Sequence, residues 1–228
     1  MADHVLPGSP PVPLTLRRSG RARRISLRIS QLDGRVTLTL PNGVRDDEAL
    51  DFATSKADWI RGHLAQRPDE ITVDIGVDLP VEGVAHRIVP SGGRRVIQRD
   101  GELGVPGDSV GRRLQAWLKE RARHRLVATC DHYAQALRRP YERITLRDTR
   151  SRWGSCTSEG GLMYSWRLIL APPTVLSYVA AHEVSHLAHM DHSARFWGQV
   201  EDICPDYQIH RKWLQKHGTD LHRYRFRD

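Results

Sequence analysis

Apolar residues along this chain pass from mostly alternating to mostly helical spacing near residue 109, and that change limits what each half can fold into. Before it, ISLRI (25–29) and VTLTL (36–40) alternate as half-buried strands do, joined across Asp33-Gly34, a short hairpin signal. One helix interrupts, at 45–67, with Asp46 or Asp47 as cap and Phe52, Trp59, Ile60 and Leu64 as its apolar stripe. Residues 71–106 return to short strands broken by Gly and Pro, and no internal repeat is visible. After 109, Val110, Leu114, Trp117, Leu118, Leu126, Cys130, Tyr133 and Leu137 mark a long amphipathic helix that Pro140 stops.

Two strands are expected next, RITLRD (143–148) and LMYSWRLIL (162–170), linked through Gly160 and Gly161 as a hairpin. A helix then opens at Pro173 or Thr174, a shorter one at Ser193, and a last one runs from about Pro205 to His217 before Gly218. The pattern is α+β. It divides into a loose Pro/Gly/Ser lead-in (1–14), a β-rich part (15–107) and a largely helical part with a β-hairpin (108–228).

The segment HEVSHLAHMDH (182–192) carries the chemistry. His182 and His186, four apart on a helix, project from one face one turn apart. With Glu183 between them they form the H-E-x-x-H arrangement, which suits two metal ligands and a general base. His189 lies on the same face. It stands ~10 Å along the axis from His182, too far for imidazoles sharing one ion unless the backbone bends. The helix is therefore expected to end near 189 and turn back, bringing His192 round as third ligand.

His189 then ends the helix, in a left-handed backbone, or orients a ligand. The spacing matches the metzincin pattern in length, but metzincins have glycine where this chain has His189, and no methionine follows Met190. Glu201 is the rival third ligand, and Glu201 or Asp206 is a candidate acceptor for a ligand imidazole. Three histidines favour zinc.

These residues resemble the YgjP-like family of metal-dependent hydrolases, relatives of the SprT-like zinc metallopeptidases. The resemblance runs from about residue 15 to 215. It is carried by RSGRARRISLRI (18–29), SRWGSC (151–156), WRLILAPP (166–173) and AAHEVSHLAHMDHSARFW (180–197). It implies a minimal zincin-like C-terminal domain with His182, His186 and His192 as zinc ligands and Glu183 as base. In such a cleft RWGSC would lie on a strand edge beside the metal helix, taking substrate by strand addition, with Gly154 allowing close backbone approach. Candidate substrate contacts are Arg152, Trp153, Gly154, Arg167 and Tyr207. Trp153, Tyr178, Phe196 and Trp197 are weighed against plain packing roles, the last two under the metal turn. Cys156 is read as a small, partly buried residue, since metal-activated water leaves no need for a nucleophilic thiol.

The leading function is a zinc-dependent metallopeptidase acting on a peptide or protein. Alternatives on the same site are a nucleoside triphosphate pyrophosphohydrolase and a DNA-associated SprT-like protease. The formal charge of +8 bears on both alternatives. Its carriers, nearly all arginines, are scattered among acidic residues, as on a solvated surface; RRSGRARR (17–24) and HRYRFRD (222–228) are the densest stretches. No P-loop is present. Three widely spaced cysteines without a CxxC pair, no signal-peptide pattern at the start and no membrane-length apolar run lead to the expectation of a cytoplasmic protein.

Overall fold

The computed structural model describes residues 2–30, 34–65 and 69–227. The chain divides into two compact units, 1–69 and 70–228. Among the described residues no helix is long and apolar enough to cross a membrane.

The first unit holds β1 (Ala2–Leu6), β2 (Val12–Arg18), β3 (Ser26–Ile29) and β4 (Val36–Leu40), followed by helices α1 (Asp46–Ser55) and α2 (Ala57–Ala65). The sheet order is β1-β2-β4-β3, with β2 and β4 parallel and both outer pairs antiparallel. Alternation places Val12, Leu14, Leu16, Val36, Leu38 and Leu40 on one face, against Ala49, Ala53 and Ile60 of the helices. The expected lead-in at 1–14 is thus corrected: its two ends pair as strands with Leu6, Val12 and Leu14 buried, and its Pro/Gly/Ser content is the turn between them. The β3–β4 hairpin forms; Asp33 of its expected turn lies outside the described residues. The single helix expected at 45–67 is two. Thr54 and Ser55 return their hydroxyls to the carbonyls of Leu50 and Phe52, a competition with the helix ladder that favours a break at Lys56.

In the second unit, the short β5 (Ile71–Thr72) precedes β6 (Asp78–Val81), β7 (Val84–Ser91), β8 (Ile97–Arg99) and β9 (Glu102–Pro106). Their order is β6-β7-β9-β8, again with a parallel central pair and antiparallel outer pairs. The two units therefore share one four-strand topology, although their sequences show no repeat. Side-chain identities differ, but Gly34 and Gly101 both take a left-handed backbone (φ +69° and +73°) before the last strand of each sheet.

The long helix α3 (Val110–Leu137) follows. Leu79, Val81, Ile88, Leu103 and Val105 of the sheet share one core with Leu114, Leu118 and Leu126 of this helix. The turn between β6 and β7 is anchored there too, by Glu82 pairing with Arg121 and Arg125. The boundary expected near 107 accordingly falls at 69/70: strands 71–106 belong with the helices rather than with the first sheet.

Beyond α3 come β10 (Arg143–Arg147), β11 (Gly154–Cys156) and β12 (Gly161–Ser165), a 3-10 stretch (Trp166–Leu170), and the helices α4 (Pro173–Ser185), α5 (Ala194–Ile203) and α6 (Tyr207–His217). A second 3-10 turn (Gly218–His222) leads to β13 (Tyr224–Arg225), which pairs with β5. The expected hairpin is redrawn. β12 is central, antiparallel to β11 and parallel to β10, so the hairpin joins 154–156 to 161–165 and RITLR lies on the opposite edge. The strand expected to run to residue 170 ends at Ser165. Trp166 to Leu170 are buried all round, so alternation there carries no face information.

Candidate metal centre

α4 reaches the site as a buried helix. Val175, Leu176, Val179, Ala180 and Val184 pack into the core, leaving Tyr178, His182 and His186 on the face toward α5 and α6. The helix ends at Ser185, one turn before the expected position. The Ser185 carbonyl accepts from the amides of both Ala188 and His189, and the Ser185 hydroxyl bonds back to the Ala181 carbonyl at 2.8 Å. His189 is not among the non-glycine residues with positive φ, so the left-handed backbone expected there is not used. After the turn, the Asp191 carboxylate accepts the Ser193 amide at 3.1 Å and α5 begins.

This reversal brings His192 back over the helix. The candidate ligand nitrogens of His182, His186 and His192 all lie within 4.8 Å of one another. His182 Nε2 and His192 Nε2 are 3.2 Å apart. Two nitrogens bound to one tetrahedral zinc stand about 3.3 Å apart, so the pair has the separation an ion requires. His186 Nδ1–H donates to the His189 carbonyl at 2.9 Å, which fixes its tautomer and leaves Nε2 as the lone-pair nitrogen. His189 thus serves through its backbone and lies outside the ligand cluster. His182 Nδ1 is buried without a partner, an orphan atom on a ring whose other nitrogen faces the cluster.

Burial, then the neighbouring imidazoles, holds His182 down to about 3; burial also lowers His186. Both rings are neutral donors near pH 7, as a metal site needs. His186 is buried, His182 half-buried and His192 exposed, so the cluster opens toward solvent on the His192 side. His192→Ala is expected to lose a bound divalent metal, while His189→Ala retains it, because a side-chain truncation leaves the His189 carbonyl in place. Metal content after gel filtration checks both.

Phe196 forms the floor. Its ring is fully buried, with its centroid 4.9, 4.4 and 4.8 Å from those of His182, His186 and His192. Trp197 covers the next side, 5.5 Å from His182 and 5.9 Å from His192, and stacks on Tyr207 at 5.4 Å. The packing expected for this pair under the turn is what the structure has.

Glu183 is buried beside His182 and is not one of the clustered ligands. Burial pushes its carboxyl up to about 8 in the metal-free chain, opposed by the charge of Arg152. Gly154 faces it directly: a Cβ at 154 would stand 2.5 Å from Glu183 Oε1 and 2.6 Å from its Cγ. Glycine is therefore required on β11 to leave room for this carboxylate. Gly154→Ala is expected to displace Glu183 and cut turnover about 10²-fold with the metal retained, as misplacement of a reacting group by ~1 Å does. Turnover and metal content measured on the same sample check it; full activity would show that the carboxylate is free to move.

The remaining candidates divide. Arg152 is exposed near Glu183. Trp153 is a packing residue: it lies against the core, its indole 5.1 Å from the His222 ring and 3.1 Å from where a Cβ on Gly218 would stand. Arg167, expected as a substrate contact, is instead buried, with four hydrogen bonds to both Asp148 carboxylate oxygens and to the carbonyls of Leu221 and Tyr224. Tyr207 is likewise corrected from substrate contact to buried support, stacked between Trp197 and Tyr178. Glu201 and Asp206 are exposed, and neither joins the cluster. Burial pushes Cys156 up to about 11, so it stays a thiol at neutral pH.

Sequence reasoning missed Arg211. Its guanidinium carbon lies 4.6 Å over the Trp197 ring, one helical turn beyond Tyr207 on α6; that i, i+4 spacing was the available signal.

A family model described as YgjP-like, metallopeptidase domain, matches residues 23–217. No curated protein and no solved structure matches. Such a domain implies a divalent metal, and the three histidines are a donor set that could hold one.

Proposed function

The chain belongs to the YgjP-like metallopeptidase family, and from that premise we propose that it is a zinc-dependent peptidase of minimal zincin-like design, cleaving a peptide or protein chain. The observation that carries the reading is the buried Glu183 carboxyl, held against Gly154 one residue from the first of three converging imidazoles. His182, His186 and His192 would hold the ion. When bound, it supplies the positive charge that lowers the pKa of a water and polarises a scissile carbonyl. Glu183 would be the group placed to take a proton from a water and to deliver it to the leaving amine. A cation this close also favours ionised Glu183, offsetting the burial that raises it in the metal-free chain.

The substrate reading is supported by β11, which pairs only with β12 and leaves its other edge open among the described residues. An extended peptide would add there, next to the helix that carries the histidines, at the position where Gly154 gives the closest backbone approach. The three cysteines are free, which supports a reducing, cytoplasmic setting.

The test is hydrolysis of an unfolded protein by the zinc-loaded chain, after chelation, and after zinc is restored. Loss and recovery of cleavage are expected. Cleavage that survives complete metal removal would refute the proposal.

A further inference from the structure

We propose that the cleft selects acidic polypeptide segments, with Arg211 beside the His182–His192 pair and Arg152 at the head of an arginine-lined groove receiving carboxylates that flank the scissile bond. This deepens, and rests on, the peptidase reading above. Arg211 is exposed and makes no ion pair among the described residues; it is held in place by Trp197 alone, 4.6 Å beneath its guanidinium. An aromatic face positions a cation without neutralising it. That face is fixed in turn, since Trp197 stacks on Tyr207 and Tyr207 on Tyr178, both buried. The same indole touches the ligand rings of His182 and His192. Arg211 is therefore a preplaced, uncompensated charge one ring away from the metal ligands.

The second feature lies on the three-stranded sheet. Ile144 and Leu146 pack on the core, so Arg143, Thr145 and Arg147 of β10 face the other way. With Ser151, Arg152 and Ser155 they line a groove of about 420 Å³. No lining residue is acidic. Arg147 and Arg152 have no ion pair among the described residues, whereas Arg143 reaches Glu142 at 3.5 Å. Some arginines elsewhere in this unit are matched, Arg121 and Arg125 by Glu82, Arg167 by Asp148 and Arg113 by Asp108. Arg152 lies two residues before Gly154 and Ser155 one after it; alternation turns Ser155 to the face of β11 opposite Glu183, so the groove shares this strand with the candidate chemistry from its other face. Guanidinium and hydroxyl groups arranged this way suit an anion. The groove has no aromatic ring on which a nucleobase could stack, which favours the carboxylates of a peptide over a nucleic acid strand.

The experiment uses three fluorescent peptides with one scissile core and glutamate, glutamine or lysine flanks. Binding to zinc-loaded Glu183→Gln chain is read by anisotropy at low and high salt, and kcat/KM is read on the active enzyme. The acidic peptide is expected to bind tightest at low salt and to be cleaved about tenfold better than the neutral one, the scale of two exposed charge pairs. That ratio should fall toward one in Arg152→Gln/Arg211→Gln and largely survive Arg211→Lys, which keeps the charge. In Arg211→Glu the preference should move toward the lysine peptide. Both arginines are exposed, and thermal melting checks that each variant is folded. Equal binding and cleavage of the three peptides would overturn the inference and leave the peptidase reading standing. Salt-sensitive binding of the acidic peptide with no cleavage of any peptide would keep the acidic selectivity of the surface and overturn both the peptidase reading and the placement of these arginines beside a scissile bond. Binding of a nucleoside triphosphate or a single-stranded oligonucleotide, with the acidic peptide ignored, would overturn it in favour of a phosphate ligand.

Discussion

Glu183→Gln is expected to bind metal as the wild type does and to turn over about 10²–10⁴-fold more slowly, the usual worth of a positioned general base. The substitution preserves size in a site where the side chain is 5% exposed and Gly154 leaves no room for a larger one. Glu183 lies outside the three-histidine cluster, so its loss removes no ligand. Metal content and kcat on one preparation test this. Turnover near the wild-type rate would end the assignment of Glu183 as base.

A stability signature accompanies it in the metal-free chain. Burial pushes the folded-state carboxyl up to about 8, above its ordinary 4.5, so the folded chain binds a proton that the unfolded chain releases. The contribution of Glu183 to stability is therefore full below about pH 4.5 and declines as pH rises toward 8. Metal-free Glu183→Gln should melt above metal-free wild type at pH 8, with the gap narrowing at pH 5. Added metal should shrink the gap at pH 8, because a nearby cation stabilises the carboxylate.

Phe196→Ala is the second large effect expected. Removing a fully buried phenyl ring costs about 3–5 kcal/mol, part of it for the cavity left behind. Here the cavity would open beneath all three imidazoles, whose ring centroids lie within 4.9 Å of the phenyl centroid. Rings without a floor sample more rotamers, and metal affinity should fall about 10–100-fold, as it does when the groups that orient ligands are lost. Phe196→Leu, which keeps an apolar floor, should recover part of both. Denaturant melts and a competition titration with a metal chelator measure the two effects separately. A folded Phe196→Ala chain with wild-type metal affinity would show that the imidazoles are held by the turn alone.

Much of the site could be read from one short segment. Helical spacing places His182 and His186 on one face, axial rise excludes His189, and a turn is the only way to supply His192. These are properties of eleven contiguous residues, and tertiary packing had only to permit them. Strand pairing was less legible. Residues 143–148 and 162–170 look like neighbours in a hairpin, yet β12 pairs in parallel with β10 and takes β11 as its hairpin partner. Alternation reports which side of a strand is buried and says nothing of which strand lies next to it. It failed at Trp166–Leu170, where every side chain is buried and the backbone leaves the sheet.

The charged residues mark the same division. Arg167 sits in a strand-like pattern as though solvated, but Asp148, Leu221 and Tyr224, contributed by two separate stretches, satisfy it inside the fold. Arg211 looks like one more surface arginine until Trp197 is found beneath it.

By itself the sequence determined the α+β class, the three candidate ligands and the neighbouring carboxyl, because each depends on periodicity or on spacing within one short segment. Only the tertiary structure decided that strands 71–106 share a core with α3, that Gly154 faces Glu183, and which arginines are answered by a carboxylate. Those outcomes require residues tens of positions apart to meet, and local patterns of hydrophobicity and charge carry no record of which distant partner arrives.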